Sequence, residues 1–381
     1  MPDSSFSLDE TAIRRTALAL FTDPQMDVRA NLALSPVSLW LMLVVLQAAA
    51  RGETARALAE LTGVTGAVGP IIDAPFAALG SAGPADAAKR VTASALHAGI
   101  LLAIDEGYPL HESFMREVRG PLTEVMRLPF ADAEPSAAAI NAWISRSTHG
   151  LIAEPVLPSA LAAPVRMLPT TAVGFDARWR DPMNPAGRRR FDGFDRRLEV
   201  PMSTLTKRLP YAQNDDVQAV ALPYADTPFE AIVLRPRRSG PEAFARARAT
   251  PTDDLLAQLE EHRVEVHLPS FALECDVTLG ESLARLAPAP IFGLDTDYGG
   301  ASAEPGLTVE ALRQLVRIEV DALGTKAAAV TTAKVFGHIP VKHKEPETIR
   351  LHFDRPFLLF IWDPQSQVVL FMAQIVEPQA S

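Results

Sequence analysis

Apolar and polar positions divide the chain into a helical first third and a strand-rich remainder. Within residues 31–63, Ser35 stands as a cap with Pro36 at the first helical position, followed by the almost unbroken apolar run "VSLWLMLVVLQAAA". A helix apolar on nearly every side must be buried on most of them. Gly52 interrupts it, and the spacing beyond predicts a second, amphipathic helix. Ser7 and Glu10 form a capping-box pattern ahead of an N-terminal helix. A strand is expected over "RVTASALHAGILLA", and helices around "LHESFMREV" and "PSAAAINAWISRSTHGLI". From Met167 onward the pattern turns to strands in "RLEVPMSTLTKRLPYA", "VQAVALPY", "FEAIVLRP" and "RVEVHLPSFAL", with short helices near 251–261 and 277–286. The tail reads as a hairpin, "RPFLLFIW" and "VVLFMAQIV" around the polar turn "DPQSQ". Helices first and strands afterwards is α+β order. With no repeat and no Gly/Ser linker, residues 1–381 are expected to form one domain.

One segment does not fit a sheet already formed. Residues 325–335 split by parity into Thr325, Ala327, Ala329, Thr331, Ala333 and Val335, all small and uncharged, and a second set that carries Lys326 and Lys334. Such a segment can enter a sheet with the first set against a core and its lysines in water. No proline occurs from 325 to 339, so every backbone N–H is free to join a central ladder. The preceding "LVRIEVDALG" alternates as a strand at Val316, Ile318, Val320 and Ala322, and Gly324 marks a hinge. Beyond lies "VKHKEPE", polar and proline-bearing. A surface loop of this length is uncommon without a purpose, and a loop able to become a strand supplies one.

Composition narrows the classes. A formal charge of −10 over 381 residues argues against a general nucleic-acid binder. The single cysteine, Cys275, excludes an internal disulfide and reads as a small apolar filler rather than a reactive thiol. The N-terminus lacks the order of a secretory signal and no apolar run reaches membrane-spanning length, so a cytoplasmic, non-membrane protein is expected. Catalytic motifs are missing: no G-x-G-x-x-G after a strand, no phosphate loop, no G-x-S-x-G, no H-E-x-x-H. His262 and His267, like His338 and His343, stand five apart, which on a strand points to opposite faces, so no metal is expected. The arginine run "GRRRFDGFDRR" (187–197) reads as a solvated hairpin edge.

The motifs taken in order resemble the serpin family over nearly the whole chain. They are "NLALSPVSL"; "INAWISRSTHGLI" with Asn141, Trp143, Thr148 and Gly150; "FDARWRDPM" with Phe175, Trp179 and Pro182; "LPSFALECDVTLGESLARL"; and "RPFLLFIWDPQSQVVLFMAQIVEP". The resemblance implies three β-sheets, eight or nine helices and an exposed reactive-centre loop at 324–346. It implies a suicide-substrate inhibitor of a serine or cysteine protease, acting as a monomer with no cofactor and no catalytic residue of its own. Loop insertion into the central sheet would trap the acyl-enzyme. On that resemblance Gly324, Thr325, Ala327, Ala328 and Ala329 form the hinge. Counting seventeen residues places the reactive bond at His338–Ile339, with Phe336, Gly337 and Lys342 as alternatives. Trp179 marks the breach at the top of the sheet. The buried shutter holds Ser35 and Ser38, but Thr171 and Gln314 stand where the family has asparagine and histidine, and Ala322 and Lys326 where it has acidic residues. A non-inhibitory binding, carrier or scaffold protein therefore stays open as an alternative, as does a fold recruited for small-molecule enzymology.

Overall fold

A computed structural model describes residues 7–8, 10–73, 96–152, 156–161, 165–250, 252–304, 307–309, 312–325, 348–365 and 367–379. Among these are nine α-helices: α1 Glu10–Phe21, α2 Pro36–Ala49, α3 Gly52–Thr62, α4 Gly69–Asp73, α5 Glu112–Glu117, α6 Ala133–Ser147, α7 Pro241–Arg248, α8 Thr252–Leu256 and α9 Gly280–Leu286. The first strands are β1 Ser7–Leu8, β2 Leu32–Leu34, β3 Val64–Thr65, β4 Leu96–Asp105, β5 Thr123–Leu128, β6 Met167–Phe175 and β7 Ala177–Arg178. Then come β8 Asn184–Asp192, β9 Arg197–Gln213, β10 Val217–Pro223, β11 Glu230–Pro236, β12 Glu260–Pro269 and β13 Phe271–Thr278. The last are β14 Arg313–Val320, β15 Gly324–Thr325, β16 Ile349–His352, β17 Phe357–Asp363 and β18 Val368–Ile375.

Three sheets form among the described residues. The seven-stranded one runs β5-β4-β6-β14-β15-β7, with β13 on β14 as well. The nine-stranded one runs β16-β12-β9-β10-β11-β17-β18-β2, with β8 on β9, and β1 pairs with β3. At 17 residues β9 is long enough to pair with β12 and β8 along one part and with β10 at its far end.

Helix α2 is buried at every position but Gln47, as its all-round apolarity demands, and lies against β4, β6 and β18. Helix α6 lies on the opposite face of the seven-stranded sheet: Ile140, Trp143 and Ile144 pack with Leu101, Ala103, Ala172 and Leu315 in a cluster of their own. The approach is close, since a Cβ on Gly99 of β4 would stand 2.7 Å from the Trp143 ring. Strands β6 and β14 are thus covered on both faces, which is why Leu315 is buried although it breaks the alternation of Val316, Ile318 and Val320.

Two local expectations change. Ser7 does not cap α1; it pairs with Thr65 in β1, because the short β1–β3 ladder draws the chain into extended form before the helix starts. Helix α7, capped by Gly240 and starting at Pro241, and strand β5 are additional elements. The arginine run forms the predicted hairpin edge, with Arg188, Arg189 and Arg190 exposed on β8.

Candidate functional site

The region of interest is the seam between β6 and β14. These strands pair in parallel from Arg313 opposite Thr170 to Arg317 opposite Gly174. Their outer neighbours are antiparallel, β4 on β6 and β13 on β14. Above Arg317 the two strands part, and the root of the loop occupies the gap. Val320 pairs with Thr325, and Thr325 pairs in turn with Ala177, antiparallel on both sides. The frame is continuous: Val320 and Ala177 flank Thr325 in the same register in which Gln314 and Thr171 lie side by side below.

Asp321 makes the reversal that puts Thr325 there. Its Oδ1 accepts from the Leu323 amide at 2.6 Å and the Gly324 amide at 3.0 Å, while its own N–H donates to the Gly324 carbonyl at 2.9 Å. This is an aspartate closing its own turn. Ala322, where the family places an acid, carries none, and Asp321 one residue earlier holds the turn amides; the D-x-x-G spacing was the available signal. Gly324 is obligatory for space, because a Cβ would sit 2.2 Å from the Ala177 carbonyl oxygen. Trp179 closes the top: its indole N–H donates to the Asp321 carbonyl at 3.0 Å and its ring stacks on Tyr224 at 4.6 Å. The Tyr224 and Thr325 hydroxyls share a 2.6 Å hydrogen bond, with Thr325 fully buried. Burial pushes the Tyr224 phenol well up, so it stays protonated. Tyr224→Phe should leave the Thr325 hydroxyl without this partner, lower stability by about 1–2 kcal/mol, and speed hydrogen exchange at Thr325 ahead of the strands around it.

Lower on the seam lies the shutter. Helix α2 starts at Ser35, whose side chain makes no cap bond. The Gln314 amide caps from the sheet instead: Oε1 accepts from the Ser35 N–H at 2.8 Å, and Nε2 donates to the Ser35 carbonyl at 2.9 Å and to Ser38 Oγ at 3.0 Å. Thr171, across the seam from Gln314, is buried, and its hydroxyl has no hydrogen-bond partner. The polar network is therefore rebuilt around Gln314, with Ser38 Oγ also donating to the Ser35 carbonyl at 3.2 Å. Cys275 sits nearby on β13, buried, its thiol pushed up to about 11 mainly by burial while its sulfur accepts from the Ala33 amide at 3.2 Å. A filler role fits those values.

Two histidine pairs arise from tertiary pairing that spacing within one strand could not reveal. His267 of β12 and His352 of β16 are ladder partners and stack at 4.3 Å. His97 on β4 lies with its ring centroid 3.9 Å from that of His149, tilted by 37°, and His149 follows α6 in the left-handed region with φ 52°. Burial first, and His149 second, hold the His97 imidazole below its usual 6.5, against an opposing pull from Asp176. The unfolded chain then takes up the proton first as pH falls, so stability is complete above about pH 6.5 and declines below it. His97→Gln should flatten that acid-side decline, read from urea midpoints between about pH 7 and 5.

Gly324, Thr325, Trp179, Ser35, Ser38, Thr171 and Gln314 all line the seam or its top. Ala327, Ala328, Ala329, Phe336, Gly337, His338, Ile339 and Lys342 lie outside the described residues.

Compared with known proteins, the chain matches the family model described as serpin, serine protease inhibitor, over residues 11–378. The chain belongs to the serpin family. An uncharacterized serpin-like protein of Thermococcus kodakarensis is 30% identical over 284 residues, 73% of this chain and 65% of that protein. For this relative and two others, from Methanosarcina acetivorans and Ixodes ricinus, the match spans just under two thirds of the relative's length, 65%, 66% and 65%. Iripin-4 of Ixodes ricinus is 28% identical over 96% of this chain and 93% of its own. Among solved structures, native protease nexin-1 with heparin superposes with a TM-score of 0.81 at 23% identity, covering 97% of this chain and 99% of that one. Human thyroxine-binding globulin complexed with its ligand reaches 0.78 at 19% identity over 97% and 98%. The family model describes serpins as serine protease inhibitors, while thyroxine-binding globulin shows the same fold holding a small ligand.

Proposed function

We propose that this serpin is a suicide-substrate inhibitor of a serine protease, or alternatively a cysteine protease, that traps the acyl-enzyme by inserting its cleaved loop between β6 and β14. The observation that carries the reading is Thr325, already seated antiparallel to β14 on one side and to β7, which follows β6 in the chain, on the other, in the frame of the seam below it. Insertion would exchange one parallel ladder, the less stable kind, for two antiparallel ones. A dozen new ladder bonds at ~1 kcal/mol each would release on the order of 10 kcal/mol, before side-chain burial and less the entropy of ordering the loop.

Side-chain chemistry along the projected strand supports the same reading. Continuing the register by six residues brings Thr331 between Gln314 and Thr171 on the face that Thr325 already turns inward. There its hydroxyl meets Thr171, whose own hydroxyl has no partner in the closed sheet. Ala327, Ala329 and Ala333 fall on that inner face, while Lys326 and Lys334 fall on the other. Val330 would enter between Leu315 and Ala172 beneath α6, so the helix must yield as the strand passes. On this reading the protease attacks His338–Ile339 or a neighbouring bond. Incubation with a panel of serine and cysteine proteases should give a complex stable in SDS, with the cut mapped to that stretch by mass. Clean cleavage by every protease, without complex, would favour a non-inhibitory serpin instead.

A further inference from the structure

Far along the sequence from the seam, three segments meet around a cavity of about 310 Å³: the β8–β9 turn at Asp192–Phe194, the exit of β11 at Arg235, and Asp354–Pro356 before β17. Arg235, Arg238 and Arg355 line it. Arg355 Nη1 donates to Ser239 Oγ at 2.6 Å, and the backbone of Ser239 and Gly240 leads into α7, whose N-cap residue offers no side-chain bond. The Nε atoms of Arg235 and Arg355 are both buried, and neither has a hydrogen-bond partner. Each such donor in a native fold calls for an explanation, a bound ion or water being the usual one.

The two acids on the lining do not meet that need. Asp192 is occupied by Arg190 at 2.7 Å and Arg197 at 3.3 Å. Asp354 approaches Arg235 only to 3.8 Å. Burial, and then the nearness of Arg355, holds the Arg235 guanidinium below its usual pKa against an opposing pull from Asp354, and its Nη1 turns to Gln218 Oε1 at 3.4 Å, leaving Nε as the donor without a partner. Planar guanidinium donors match the geometry of a tetrahedral oxyanion, and the volume is at the small end for ligand sites. We infer that this cavity binds a small soluble phosphate or phosphomonoester, held by Arg235 and Arg355 with Ser239 as a hydroxyl donor. The site is independent of the inhibitory reading, since none of its residues lies on the seam or the loop.

Titrating the whole protein with inorganic phosphate at constant ionic strength should raise its melting temperature along a saturating curve. Arg355→Gln should raise the half-saturating concentration at least about tenfold, as loss of a hydrogen bond to a charged group does. Arg189→Gln, exposed on β8, should leave it unchanged. Where Arg355→Gln does not fold, Ser239→Ala on the exposed loop takes its place, with a loss of about threefold for one hydroxyl donor. A rise that does not saturate, one indifferent to the cavity substitutions, or one lost equally in Arg189→Gln would mean that water alone fills the cavity, and the assignment would be overturned.

Discussion

Thr331→Arg is expected to abolish the proposed trapping, so that a protease cuts the protein as a plain substrate, while native stability stays unchanged. In the proposed inserted strand, continued from the register of Thr325, residue 331 would meet Gln314 and Thr171 on the buried face. An arginine there would be an uncompensated charge between a neutral amide and a neutral hydroxyl, at a cost of about 3–5 kcal/mol. Insertion would stall about halfway, and the acyl-enzyme would hydrolyse before its active site was distorted. The ratio of serpin consumed to protease trapped should rise by at least about tenfold, since one factor of ten corresponds to only ~1.4 kcal/mol. Lys334→Gln, on the opposite face, should behave as wild type. Equal trapping by wild type and Thr331→Arg would mean that the strand does not enter in the register of Thr325.

Gln314→Ala should be the most damaging single truncation in the shutter. It removes the acceptor for the Ser35 amide together with the donor to the Ser35 carbonyl and Ser38, in a residue that is 1% exposed. Leaving a buried amide at the start of α2 unsatisfied, with two further bonds lost, should cost about 3 kcal/mol of native stability. A shift in the urea midpoint at unchanged slope would measure it. Thr171→Val should cost far less or stabilise, because its hydroxyl is buried with nothing to bond. If the two substitutions proved equally harmful, Gln314 would not be the residue that ties the seam to α2.

Much of this arrangement is written in local pattern. The β17–β18 hairpin is legible because both strands are apolar on both faces around a polar turn, and α2 because a helix without a polar face has only one place to go. The parity of residues 325–335 points to the inward face, and the burial of Thr325 agrees at the first position where the two can be compared. Features set by partners far away in sequence are less legible. Gln314 caps a helix 276–279 residues away, and His97 meets His149 only because α6 crosses the sheet. Ser7 carries a helix-start pattern that a two-residue ladder with Thr65 overrides. Asp321 was readable in principle: an aspartate three residues before a glycine is a turn with a mechanism, and it holds the hinge amides one place ahead of the position where family likeness directs attention.

The central claim is that the native molecule is not at its lowest free energy, because the seam between β6 and β14 can accept one more strand. The most direct measurement is the melting temperature of the protein after its loop has been nicked between residues 336 and 342, set against that of the intact chain. The account predicts a rise of about 12 °C, which is what ~10 kcal/mol released over a chain of this size gives. A nicked protein that melts at or below the temperature of the intact one would contradict it.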